Sequence, residues 1–94
     1  MQIKQSELFI QQFEDILFTI ASDKLSAALN FQKEVMENFN TLKAFPYKSR
    51  QSKYYDNIAI RDLTIKGYTI IYRVQEDKKC IEVIEVFNRN LPNS

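Results

Sequence analysis

The chain has no histidine and no tryptophan, and only one cysteine, one glycine and two prolines in its 94 residues. Without histidine, and with Cys80 as its sole thiol, it cannot build the usual zinc ligand sets or a Ser-His or Cys-His catalytic pair. A lone cysteine also excludes an intrachain disulfide. Scarce glycine and proline argue against a disordered or loop-rich chain. No apolar run approaches the roughly 18–20 residues that span a bilayer. Met1 to Ser6 is polar and lacks the apolar core of a secretion signal. The expected location is therefore the cytoplasm. No cofactor is implied. Asp56, Asp62, Glu76 and Asp77 read as exposed turn and strand-edge carboxylates without metal-ligand spacing, so no metal site is expected.

What the chain does contain is apolar bulk: 45% hydrophobic residues and 13% aromatics, with seven Phe and five Tyr. That suffices for one core, and the length predicts a single domain over 1–94. Such a chain buries only about 60–65% of its unfolded surface, so its stability should be modest. Net charge is +1, unevenly spread. Residues 1–45 carry four lysines against six carboxylates; residues 46–94 carry nine cations against six carboxylates. The basic second half suits a nucleic acid or an acidic protein partner, or simply a mixed solvated surface.

The apolar pattern changes period along the chain. Residues 2–5 suit a short first strand. Ser6 and Glu7 read as an N-cap followed by a first-turn acid. Phe9, Phe13, Ile16, Leu17 and Ile20 then form one helical stripe, which should stop near Ala21–Asp23. Asp23 is the expected cap of a second helix, with the stripe Ala28, Phe31, Val35, Phe39 and Leu42. Pro46 ends it, having no amide proton and restricting Phe45. Tyr47 to Asn57 is polar, basic and aperiodic, an expected exposed connection. Strands follow over 58–65, 68–75 and 80–87, joined by turns at Lys66-Gly67 and 76–79. Residues 88–94 form a short tail.

This order, β-α-α-β-β-β, predicts an α+β fold with a helical hairpin packed on one face of a small antiparallel sheet. The other face would lie open, and Arg61, Arg73 and Lys66 lie on or beside its strands. Arg61, Arg73 and Arg89 could meet there as a phosphate-contacting trio. The alternative is cross-strand pairing with Glu82, Glu85 or Asp62, each pair contributing about 0.2–1 kcal/mol. Lys48, Arg50 and Lys53 read as a solvated loop that could touch a target. Tyr68 and Tyr72 share strand parity and should face the same way, as core or partly buried sheet residues rather than base-stacking platforms. Cys80 reads as a small buried hydrophobe.

The ordered pieces resemble the ParE branch of the RelE/ParE toxins over residues 8–89. They are Phe39-x-x-Leu42-x-x-Phe45-Pro46, then Arg50 and Arg61, then Tyr68-Thr69-Ile70-Ile71-Tyr72-Arg73, then Val86-Phe87-Asn88-Arg89. No piece is specific alone; the ordered set over most of the chain is. The resemblance implies a cytoplasmic toxin neutralised by a cognate antitoxin whose C-terminal segment wraps it, in a toxin–antitoxin hetero-oligomer. ParE-type members block DNA gyrase, whereas RelE-type members cut mRNA in the ribosome.

Ribosomal cleavage needs cations around the scissile phosphate and a proton-transfer group. Aligned on Gly67-Tyr68, the positions where RelE carries basic residues hold Ile60, Asp62 and Thr69; only Arg89 matches. The tail 90–94 has no His or Tyr. The favoured expectation is therefore a gyrase-binding toxin whose target-binding candidates are Arg61, Arg73, Arg89, Lys66 and Arg50. A ribosome-dependent endoribonuclease, and an inactive homologue that only binds its antitoxin, are the alternatives.

Overall fold

A computed structural model describes residues 1–88. The elements are β1 (Gln2–Gln5), α1 (Glu7–Asp23), α2 (Leu25–Ala44), β2 (Arg50–Gln51), β3 (Ile60–Ile65), β4 (Tyr68–Gln75) and β5 (Cys80–Asn88). The two helices pack on one face of a five-stranded sheet of order β1-β5-β4-β3-β2. The expected order is present, with β2 as an added two-residue edge strand.

Ser6 starts α1 as its pattern predicts. Its backbone is extended and its Oγ accepts from the Phe9 amide at 3.0 Å, a cap contributing about 1 kcal/mol. The same hydroxyl donates to the Ile84 carbonyl at 2.7 Å, tying the helix start to β5. The expected Asp23 cap is not formed. Asp23 is the last residue of α1, and Lys24, in extended conformation, separates the helices without any side-chain cap. One extended residue is enough to reverse the chain, and it leaves no room for a separate capping aspartate. α2 ends at Ala44, two residues before Pro46.

Both stripes point at the sheet. Phe9, Phe13, Phe31, Val35, Phe39 and Leu42 are buried against Ile65, Ile70, Tyr72, Val74, Ile81, Val83 and Val86. Each large side chain removed from water contributes about 1.5–3 kcal/mol. Tyr68 and Tyr72 do face this core together, Tyr68 packing on Phe31 with ring centroids 5.0 Å apart. Cys80 is buried, as expected.

The sheet is mixed rather than wholly antiparallel. β3, β4 and β5 form the antiparallel meander, but β1 runs parallel to β5, with Gln2 opposite Cys80 and Gln5 opposite Val83. The long connection that a parallel pairing requires is here the helical hairpin followed by β2, β3 and β4. Lys66 and Gly67 both have positive φ, 48° and 84°, the requirement of a type I′ hairpin turn. Between β4 and β5 the register shifts by one residue: Tyr72 faces Val83 while Ile71 faces Glu85. This bulge keeps Val83 and Val86 in the core and turns Glu85 to the opposite face. α1 holds it in place through Ser6 on the Ile84 carbonyl and Gln12 Oε1 on the Val86 amide at 2.8 Å.

That opposite face is not open. Residues 52–59, expected to be an exposed connection, fold back across it as a strap. Tyr54 meets Phe87 edge-on at 5.2 Å, and the Tyr55 hydroxyl donates to Glu85 at 2.7 Å. The Lys53 amide donates to Asp62 Oδ2 at 3.1 Å. Thr69 and Ile71 beneath are almost wholly buried, and so is Asp62, which the sequence reading placed at an exposed edge. Ile58 and Ala59 belong to the strap, so β3 begins at Ile60. The Val74 amide donates to the Ala59 carbonyl at 2.8 Å, fixing the strap's end.

Candidate target-binding site

The corner where α2 gives way to the sheet concentrates exposed aromatic and basic groups. Phe45 and Pro46 cannot continue the helix, and the Lys48 amide closes a turn on the Phe45 carbonyl at 3.1 Å. Phe45 is 65% exposed and Tyr47 41%. An apolar cleft lies among Ala44, Phe45, Pro46, Tyr47 and Lys48. Beneath it, Tyr72 donates its hydroxyl to the Pro46 carbonyl at 2.8 Å, anchoring the turn to the middle of β4.

Arg61 reaches this corner. It lies opposite Tyr72 in the β3–β4 register and so projects from the same, helix-facing side. Its guanidinium carbon sits 4.8 Å from the centroid of the Tyr47 ring, and Nη1 makes a long contact, 3.4 Å, to the Ser49 carbonyl. A cation over an aromatic face contributes about 0.5–2 kcal/mol, depending on desolvation. Arg61 Nε is buried with no partner. The cation is positioned by ring stacking rather than neutralised by a carboxylate, which leaves its charge available to an incoming acidic group.

The phenols here are held protonated. Loss of hydration pushes the Tyr47 hydroxyl up, and Glu76 adds to this by hydrogen bond and by charge, with Arg61 opposing. Burial pushes Tyr72 up, while hydrogen bonds from Ser49 and the Arg61 charge pull it back. Both groups are therefore poor bases at neutral pH. The corner's chemistry is that of a binding surface: an oriented cation, an aromatic plate and an exposed apolar rim.

Arg73, Arg50 and Lys66 do not converge on this corner. Arg73 pairs with Ile60 on β3 and Glu82 on β5, on the strap side, so Arg61 and Arg73 project from opposite faces. This corrects the expected open-face trio; the two-residue turn sets Arg61 opposite Tyr72, and Arg73, the next residue along β4, points to the other face. Arg50 pairs with Asp62 at 3.6 Å, also on the strap side, with half its own side chain exposed. Asp62 Oδ1 has no hydrogen-bond partner. Lys66, in the hairpin turn, lies 3.9 Å from Glu34 of α2. Arg89 lies outside the described residues. Of the expected cross-strand pairings, Arg73 does stand opposite Glu82 in register, though neither Arg61 nor Arg73 forms an ion pair among the described residues; Arg50, not Arg61, takes Asp62.

Sequence reasoning missed Tyr47, Tyr54 and Tyr55 because their segment has no period. The available signal was compositional: three tyrosines within nine polar, basic residues need something to pack against or to meet.

The family model described as "ParE toxin of type II toxin-antitoxin system, parDE" matches residues 3–90. The chain belongs to the ParE toxin family. Among solved structures, this ParE protein is similar to a chain of the chromosomal ParDE toxin–antitoxin system from P. aeruginosa. The TM-score is 0.74 at 18% identity, covering 94% of this chain and 95% of the other. At that identity the likeness speaks for the fold: the helical hairpin on a mixed five-stranded sheet is a ParE architecture. No curated protein matches the chain. Among the described residues of this ParE chain, no helix is long and apolar enough to cross a membrane, and no group of three or more His, Cys, Asp or Glu could hold a metal.

Proposed function

We propose that this protein is the toxin of a type II toxin–antitoxin pair, that it inhibits growth by binding DNA gyrase, and that a cognate antitoxin neutralises it in a hetero-oligomeric complex. The observation that carries the reading is the ParE family match over residues 3–90. Two features of the geometry support a binding rather than a cleaving action. Arg61 and Arg73 lie on opposite faces of the sheet, so these two do not clasp one phosphate. Asp62, which in an alignment on Gly67-Tyr68 stands where RelE carries a basic residue, is a buried carboxylate that would repel a phosphate. The target surface in this reading is the corner of Phe45, Tyr47, Lys48 and Arg61, with Arg50 at the adjoining edge. Its partner would present an acidic, partly apolar patch.

The deciding experiment is a pair of assays on the purified protein freed of antitoxin: gyrase supercoiling with trapping of cleavage complexes, and mRNA cleavage on programmed ribosomes. Inhibited gyrase with intact mRNA supports the proposal. Cut mRNA with untouched gyrase overturns it in favour of a RelE-type nuclease, and silence in both marks another target or an inactive antitoxin-binding homologue.

A further inference from the structure

The strap side of the sheet holds a second built feature, remote in the fold from the Arg61 corner. A cleft of about 400 Å³ is walled by Tyr54, Tyr55, Phe87 and Ile71, with Glu85 as its one charged lining residue. Glu85 points here only because of the β-bulge. Continuous alternation would have sent it toward the helices, and α1 fixes the bulge by two hydrogen bonds, from Ser6 and to Gln12. The strand irregularity thus aims one carboxylate, already anchored to the strap by Tyr55, into an aromatic cleft.

We propose that this cleft takes the guanidinium of an arginine side chain from a partner protein. The Tyr55 hydroxyl donates to one Glu85 oxygen at 2.7 Å, which orients the carboxylate, and Glu85 forms no ion pair among the described residues. Tyr54 and Phe87 meet edge to face at an interplanar angle of 88°, so a flat cation can lie on one ring while the other closes its edge. Tyr54 already holds a cation, the Lys53 ammonium at 5.4 Å from its centroid. Guanidinium matches the site better than ammonium because it both stacks on a ring and forks onto a carboxylate. Tyr54 and Tyr55 are each 39% exposed, which leaves the cleft open to solvent. The charged groups around it on this face are Arg73, close enough to oppose the Glu85 influence on Tyr55, Glu82 opposite Arg73 in register, Lys53 on the Tyr54 ring, and the Arg50–Asp62 pair beside Ile71. With Glu85 counted, these groups balance in sign, so the deciding charge is Glu85, the one carboxylate lining the cleft itself, which favours a cationic side chain over a nucleic-acid backbone.

The test is an amide-resolved NMR titration of the purified full chain with N-acetyl-arginine amide, its neutral isostere N-acetyl-citrulline amide, and N-acetyl-lysine amide. The expected result is saturable shifts at Tyr54, Tyr55, Ile71, Glu85 and Phe87, with citrulline weaker by about tenfold or more and lysine in between. Glu85→Gln, which keeps the side-chain shape and an acceptor for Tyr55, should erase the arginine–citrulline gap. Tyr54→Ala should weaken all three. Equal affinity for arginine and citrulline, lysine binding tighter than arginine, shifts that map to the Tyr47 corner instead, or an unchanged gap in a folded Glu85→Gln variant would each overturn the proposal.

Discussion

The two faces of the sheet are covered by opposite means. On the helix side, four linked aromatic contacts run from Phe39 through Phe9, Phe13 and Phe31 to Tyr68, with centroids 5.0–5.9 Å apart. These rings sit in a cluster shared by both helices and three strands. On the strap side, a short irregular segment lies over Thr69 and Ile71 through one ring contact and a few directional polar bonds. The first cover removes apolar area from water and is non-directional. The second depends on individual hydrogen bonds, each worth only about 0.5–1.5 kcal/mol net. The comparison teaches where this small protein can open. The helix face should unfold only with the whole chain, whereas the strap can lift alone, at the low end of local stabilities.

The sharpest way to break that contrast is to truncate one aromatic on each side. Phe31→Ala should cost about 3–5 kcal/mol, enough to unfold much of a modestly stable domain. Tyr54→Ala should cost less than about 1.5 kcal/mol globally while speeding amide exchange along the strap. Urea unfolding of both variants, with exchange read at residues 52–59, decides it. Equal global losses would mean the strap belongs to the same cooperative core.

A second and smaller effect isolates the strap's charged anchor. Asp62 is wholly buried; its Oδ2 accepts from the Lys53 amide and faces Arg50, while Oδ1 has no partner. Removing the carboxylate loses a charge-assisted hydrogen bond, but it also relieves a desolvated oxygen. Asp62→Ala should therefore destabilise by about 1.5–3 kcal/mol, the cost of a bond to a charged group. Asp62→Asn, which keeps an acceptor for Lys53, should lose less. An Asn variant as unstable as the Ala variant would show that charge attraction to Arg50, rather than the hydrogen bond, holds the strap.

Most of this architecture was legible in the sequence because it rests on periodicity. The stripes from Phe9 and from Ala28, the Ser6 cap, the Pro46 stop and the Lys66-Gly67 turn each carry a local signal that survives folding. The features that were not legible are those fixed by distant pairings. β1 finds β5 some 80 residues later, β2 gains strand character only from β3, and the strap has no period because its contacts are individual bonds. Arg61 and Arg73 could not be assigned to opposite faces until the hairpin register was known. The β5 bulge, which decides where Glu85 points, has no glycine to announce it. The ParE family was readable from ordered pieces; the candidate site was readable only as a set of cations, of which the structure keeps Arg61 at the aromatic corner and places Arg50, Lys66 and Arg73 elsewhere.

At that corner the contrast can be sharpened without touching stability much. Arg61→Lys keeps the charge but loses the planar stacking on Tyr47, and at a stacked site this exchange is not conservative. Expected is near-wild-type unfolding, within about 1 kcal/mol, with a clear loss of growth inhibition. Arg73→Lys, on the strap side, should leave growth inhibition nearly intact. If Arg73→Lys relieves inhibition as fully as Arg61→Lys, the target is gripped through both faces and the corner is not the site.

The smallest effect is a pH dependence of the strap. The hydrogen bond to Glu85 raises the Tyr55 phenol above its ordinary value, burial and the Glu85 charge raise it further, and Arg73 opposes. A group whose folded-state pKa lies above its unfolded value contributes stability that is full below the unfolded pKa and lost as pH rises through the folded one. The strap should therefore be held tightly at neutral pH and loosen only above pH 10, where an ionised Tyr55 would confront the Glu85 carboxylate. Tyr47 and Tyr72, also raised, add alkaline losses of their own on the helix side. Tyr55→Phe separates the contributions. At neutral pH it should cost at most about 1 kcal/mol, the worth of one partly exposed hydrogen bond. Above pH 10 it should flatten the strap's exchange response while leaving the global alkaline loss. A strap that loosens identically with and without the Tyr55 hydroxyl would show that its hold comes from Asp62 and the Tyr54–Phe87 contact alone.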